Sequence, residues 1–177
     1  GCPADEVVVY EDEVDIHLNP KIGADWMLPG TQKAVVTPGQ NKKHYVAGVL
    51  DASTRKVSFV EAERKDSGLF IRLLKHLADT VYPKAAKIHV IVDNFGIHSS
   101  RRTRKALEAY EGRIVLHFLP PYCPNANEIE KLWKDLHDNV TRNHRCPDLE
   151  TLMMEVRDYV VAASPFPGSQ PSLARAS

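Results

Sequence analysis

The 177-residue sequence predicts an α/β fold, a mixed five-stranded sheet with helices on both faces. Two patterns lead to it. The element order reads β-β-β-α-β-α-β-α-α, a run of strands followed by strands that alternate with helices. The hydrophobic period also changes along the chain. Early segments are short apolar or alternating runs of strand type, and later ones place apolar residues three and four apart.

Glu6 to Tyr10, EVVVY, reads as a buried strand, with Asp12 just past its end. Asp15 to Gly39 is rich in turn residues: Asn19-Pro20, Pro29-Gly30 and Pro38-Gly39. His44 to Leu50 and Lys56 to Glu63 are β-prone and separated by the turn-like Asp51–Arg55, which predicts an antiparallel pair. Asp66 or Ser67 caps a helix to about Val81, since Leu69, Phe70, Leu73, Leu74, Leu77 and Val81 share one face. Ile88 to Val92, IHVIV, reads as a central strand. Ser99 or Ser100 opens a basic helix to about Tyr110, ended by Gly112. Ile114 to Leu119 is a further strand. A helix from Asn127 carries Ile129, Leu132, Trp133, Leu136 and Val140 on one face, and Pro147-Asp148 starts a last helix to about Ala163. The Pro/Ser-rich segment 164–177 reads as a flexible tail.

Bulk properties narrow the function classes. Hydrophobic residues at 43% and charged residues at 26% are those of a water-soluble globular domain. No apolar run approaches the ~20 residues that span a bilayer, so no membrane partner is expected and the location is cytoplasmic, nucleoid-associated if the host is bacterial. Cys2, Cys123 and Cys146 show no C-x-x-C spacing, which suits a reducing compartment and excludes a disulfide framework. The 23 basic and 23 acidic residues cancel, whereas a stand-alone DNA-binding module is usually more basic. The chain starts without Met and without a signal segment, and is expected to be part of something longer.

The chemistry lies in three separated acids. Asp12 and Asp93 each follow a strand, at the carboxyl edge where open α/β sheets bind ligands. Glu130 lies in the first turn of a helix. If the first and fourth strands are neighbours, Asp12 and Asp93 sit side by side, and the helix need only cross that edge. Clustered carboxylates repel one another unless a cation intervenes. Hard oxygen donors without a cysteine point to Mg2+, with Mn2+ able to substitute, and two such ions serve phosphodiester chemistry. Asp93 is expected to be held by metal and not by an ion pair.

YEDE, VDNFGIH and LPPYCPNANEIEKLW together resemble the DDE transposases of the mariner-like insertion-sequence superfamily. The resemblance runs from about Val7 to about Asn143. It implies a ribonuclease-H-like DDE catalytic domain over 1–163 and places Asp12, Asp93 and Glu130 at the family's catalytic, metal-binding acids. The 36 residues between Asp93 and Glu130 suit the family's short second spacing. The resemblance implies metal-dependent DNA strand cleavage and strand transfer at transposon ends, DNA as partner (ends and target duplex) and a homodimer in the active complex. Two departures stand out: Glu128 replaces a common proline, and Glu11 precedes the first Asp where a small or apolar residue is usual. The family's N-terminal helix-turn-helix is not in this sequence.

Around the triad, Glu13, Asn94, His98 and Asn127 are expected to support the acids. Arg101, Arg102, Arg104 and Lys105 are expected to contact phosphates, and Trp26 to stack on DNA. Simpler roles exist for each. Glu130 could close a capping box with Asn127, Asp93-Asn94 could be only a turn, Asp12 a solvated acid, and the basic run a solvated face. On function, an inactive or domesticated DNA- or protein-binding relative and another ribonuclease-H-like nuclease are the alternatives.

Overall fold

The computed structural model describes residues 3, 5–20, 38–40, 42–121 and 127–167. Three strands come first: β1 (Glu6–His17), β2 (Lys43–Asp51) and β3 (Val57–Ala62). Helix α1 (Ser67–His76), strand β4 (Lys87–Val92), helix α2 (Arg101–Glu108) and strand β5 (Ile114–Phe118) follow. Helices α3 (Ile129–Leu136) and α4 (Leu149–Ala162) complete the order expected from sequence. A π-helical turn extends α1 through Val81 and another extends α3 through Thr141.

The sheet order is β3-β2-β1-β4-β5. β1 pairs antiparallel with β2 and β2 with β3, whereas β4 lies parallel to both β1 and β5. The mixed sheet and the adjacency of the first and fourth strands are therefore as the sequence indicates. Alternation divides the side chains of β1 between two cores. Val9 joins Leu69, Phe70, Leu73 and Leu74 of α1 on one face. Val14 and Ile16 join Ile129, Leu132, Trp133 and Leu136 of α3 and the apolar stripe of α4 on the other.

Caps fix the helix starts. Asp66 Oδ1 accepts from Gly68 N at 2.8 Å and Leu69 N at 3.1 Å, and Ser100 Oγ accepts from Thr103 N at 3.1 Å. In the hairpin between β2 and β3, Asp51 Oδ1 accepts from Ser53 N at 2.9 Å and Thr54 N at 2.7 Å. Its other oxygen accepts from the Tyr82 hydroxyl at 2.7 Å. Gly112, with φ +80°, closes the turn after α2 as its lack of a Cβ permits.

Two expectations need correction. β1 runs on to His17, so Asp12 lies inside a strand and not at its end. Its polar run does not stop the strand because β2 continues to pair with it as far as His17↔Lys43. The expected tail also begins too early. Phe166 is buried, its N–H donates to the Arg55 carbonyl at 2.8 Å, and the Ser164 hydroxyl accepts from Val57 N at 3.0 Å. One apolar side chain and three backbone-directed bonds, the third from Arg55 Nε to the Phe166 carbonyl, hold 164–167 against the hairpin despite the Pro/Ser composition.

Candidate active site

β1 and β4 bring the first two acids together. Their parallel pairing ends at Tyr10↔Ile91, so two residues on, Asp12 and Asp93 come level at the carboxyl edge of β4. Asp12 functions as a strand-end residue only with respect to β4. On its other side it is paired with Gly48 of β2. Its side chain shares the α3 face with Val14, and with Glu130 it lines a cleft of about 580 Å³ that also meets Trp133, Lys134 and Arg142.

Gly48 decides how closely α3 can approach. A Cβ at this position would sit 2.7 Å from the Trp133 ring. The indole therefore brings the edge of its six-membered ring against a bare stretch of backbone at Gly48, the residue paired with Asp12, and Glu130 lies one turn earlier on α3. Asn127 helps from the other end, its amide donating to the Glu11 carbonyl at 2.8 Å across 116 residues of chain. This is not the capping box that sequence permits. Asn127 Oδ1 has no partner among the described residues, and only the Asn127 carbonyl meets Glu130 N, at 3.1 Å.

The electrostatics are those of crowded acids. Burial pushes the Asp12 carboxyl up to about 7, with Glu13 and Asp93 adding to the rise; the Glu13 N–H at 2.8 Å and Lys65 oppose it. Glu130 is raised by burial and then by the Asp93 charge. Asp93 thus acts on both other members of the expected triad.

Asp93 itself is held, contrary to expectation, by a histidine, an ion pair whenever that imidazole is protonated. His98 Nδ1 lies 3.0 Å from Asp93 Oδ1 and 3.2 Å from its carbonyl, and Phe95 N donates to Oδ1 at 2.8 Å. The tight turn that follows β4 folds His98 back under the acid. Burial disfavours the charged imidazole, but Glu13 and Asp93 outweigh it and raise the His98 pKa. The ring packs tilted against Phe70, with centroids 4.6 Å apart.

The remaining expected residues divide. Glu13 is buried and faces His98 at 3.2 Å. Asn94 donates to the Leu119 carbonyl at 2.7 Å, joining the ends of β4 and β5 rather than touching an acid. Arg101, Arg102, Arg104 and Lys105 are exposed on α2, and Arg102 lines a second cleft with Arg64, Arg72 and Asp66. None of these four lines the cleft of Asp12 and Glu130. Trp26 lies outside the described residues.

Sequence reading missed three residues. Glu11 is fully buried, and burial together with Glu13 raises its pKa well above the ordinary value. Lys65 sits 3.7 Å from Glu13, 3.8 Å from Asp15 and 5.0 Å over the Phe95 ring. Gly48 is the third. The i, i+2 pattern Val7, Val9, Glu11, Glu13 was the available signal, since it sends both glutamates to the face of Val9.

A mixed five-stranded sheet with this topology and helices on both faces defines a ribonuclease-H-like domain. Known structures share the fold. The mariner Mos1 paired-end complex with Mg superposes with a TM-score of 0.64 at 17% identity, covering 90% of this chain and 49% of that one. The catalytic domain of Mos1 mariner transposase gives 0.59 at 16% identity, covering 89% and 71%. Residues 7–153 match the DDE superfamily endonuclease family, and the chain belongs to it. In Shigella sonnei, the insertion element IS630 uncharacterized 39 kDa protein is 52% identical over 175 residues, 98% of this chain and 50% of that protein. The chain thus spans about half the length of this relative.

Proposed function

We propose that this domain is the catalytic part of a transposase, cutting DNA strands at transposon ends and joining them to a target, with Asp12, Asp93 and Glu130 as its cation-binding acids. The observation that supports the reading is that Asp12 and Glu130 line one cleft while the Asp93 charge acts on both, in a DDE superfamily endonuclease. Relatives of this fold include Mos1 paired-end complexes with Mg and with Mn.

The donor set fits magnesium or manganese. All three donors are carboxylates, and burial, with the Asp93 charge added, raises the pKa of Asp12 and of Glu130, a cost to their ionised forms that a cation would relieve. Bound as a pair, such ions supply the Lewis acidity and nucleophile activation that in-line attack on a phosphodiester needs.

The chain's own residues do the positioning. The Glu13 N–H fixes one Asp12 oxygen, and His98 with the Phe95 N–H fixes one Asp93 oxygen. In each case the second oxygen is left for a ligand. Glu130 sits in the first turn of α3, where it can reach in or withdraw without breaking the sheet. The exposed basic face of α2 meets phosphates beyond the cleft, giving sequence-independent, salt-sensitive affinity. Two copies acting on paired ends, in the cytoplasm or on the nucleoid, complete the reading.

The test is strand cleavage by the full-length parent protein. Duplexes bearing the element's own ends should be nicked in Mg2+ or Mn2+ and left intact in chelator. Cleavage of RNA–DNA hybrids in place of duplex ends would make it a different nuclease. Binding without cleavage under any divalent ion would make it an inactive relative.

A further inference from the structure

Behind the triad, on the opposite face of the sheet, lies a cluster that the reading above does not use. Strand alternation turns Glu11 and Glu13 away from Asp12 and toward α1, where they meet His98. One donor atom from each of the three lies within 4.8 Å of the others, and all three residues are buried. We propose that Glu11, Glu13 and His98 form a separate buried site for one transition-metal dication of the zinc or manganese type, distinct from the catalytic pair.

Four observations support it. His98 Nε2 is 3.2 Å from Glu13 Oε1 and 3.3 Å from Glu11 Oε2. Ligands about 2.0–2.1 Å from a tetrahedral ion stand about 3.3–3.4 Å apart, so this spacing already fits coordination. Glu11 is 0% exposed, yet neither of its carboxylate oxygens has a hydrogen-bond partner. A single Nε2 proton cannot serve both glutamates, and Glu11 Oε2 lies off its line. A buried carboxyl group without hydrogen-bond partners is costly in either protonation state, and bidentate chelation would employ both orphaned oxygens and supply the fourth donor.

The third observation is the other side of the imidazole. Metal-bound histidines characteristically donate their second ring N–H to a carboxylate or carbonyl, which fixes the tautomer. His98 Nδ1 faces both, the Asp93 carboxylate at 3.0 Å and the Asp93 carbonyl at 3.2 Å. Nε2 is then left with its lone pair directed at the two glutamates. The fourth is charge. Two carboxylates, a neutral imidazole and a dication sum to zero, and Lys65, at the edge of the cluster, is shared between the outer oxygen of Glu13 at 3.7 Å and Asp15 at 3.8 Å. A nitrogen donor beside carboxylates favours zinc or manganese over magnesium. The ion would anchor Asp93 through His98, making the position of a catalytic acid depend on a structural metal.

The experiment uses the full 177-residue chain with Asp12→Asn and Glu130→Gln, which weakens the catalytic-face site and leaves the buried cluster intact. Because the site is enclosed, the protein is refolded from denaturant with Co2+ as the probe, since metal binding and folding are coupled. The expected result is one tightly held cobalt per chain, with the strong visible absorption of a low-symmetry four-coordinate ion. Adding Glu11→Gln or His98→Gln should remove that equivalent and its band. Circular dichroism checks that each variant has folded, and if they have not, the absorption of the cobalt in the folded double variant must show both imidazole and carboxylate coordination and persist in a His89→Gln background. A folded double variant that holds no cobalt, or whose cobalt survives Glu11→Gln, would overturn the proposal. Neither outcome bears on the catalytic reading, because that site is disabled throughout.

Discussion

Removing the charge of Asp12 should stabilise the metal-free protein, and by an amount that depends on pH. Burial and neighbouring acids move this carboxyl from 3.8 to about 7 in the fold. The folded chain thus holds the proton more tightly than the unfolded chain. The Asp12 contribution to stability is greatest below about pH 4, falls as pH rises to about 7, and is flat above that. A shift of about 3 units corresponds to a ceiling of about 4 kcal/mol at 1.36 kcal/mol per unit. Asp12 is only partly buried, and solvent screening reduces this to roughly 1–3 kcal/mol. Asn keeps an oxygen for the Glu13 N–H, so Asp12→Asn should gain that amount at pH 8 and only about a quarter of it at pH 4.5. Urea unfolding in chelator at both pH values measures it. An equal effect at the two pH values, or a loss at pH 8, would refute the assignment of the strain to a charged Asp12. Millimolar Mg2+ should then reverse the order, because a ligand bound only by the folded wild type stabilises it by mass action.

Three further outcomes follow from the packing. Gly48→Ala should cost about 1–3 kcal/mol by overpacking against Trp133, read as a lowered urea midpoint, and should reduce cleavage by more than the stability loss explains because it displaces α3 and Glu130. Asp66→Ala should cost about 0.5–2 kcal/mol by uncapping α1, with the urea slope unchanged. Arg104→Ala should lower the salt dependence of DNA binding by about one phosphate's worth, equally for any sequence, as fluorescence anisotropy across salt concentrations would show.

Much of the fold was legible because each element had a local signal. α1 has a helical apolar stripe and Asp66 at its cap, and β4 is a short β-branched run bounded by Asp93. The adjacency of β1 and β4 was needed as an assumption, and their parallel register bears it out. The length of β1 was hidden because its second half is acidic. Polar residues do not look like a strand until one knows that Glu11 and Glu13 are buried beside His98. The docking of Phe166 and the fit of Trp133 over Gly48 depend on contacts across more than 80 residues, which no local pattern encodes. The His98–Asp93 contact is local, five residues apart, yet nothing in VDNFGIH says that the turn folds back on itself.

The most direct test of the central claim is single-strand nicking of a duplex carrying the element's own end by the full-length parent protein in Mg2+. Wild type is compared with Asp12→Asn, Asp93→Asn and Glu130→Gln, each confirmed as folded. The account predicts that every one of the three substitutions abolishes cleavage while binding to the duplex persists. Full cleavage by any one of them would remove that acid from the site and contradict the claim that the three act as one cation-binding set.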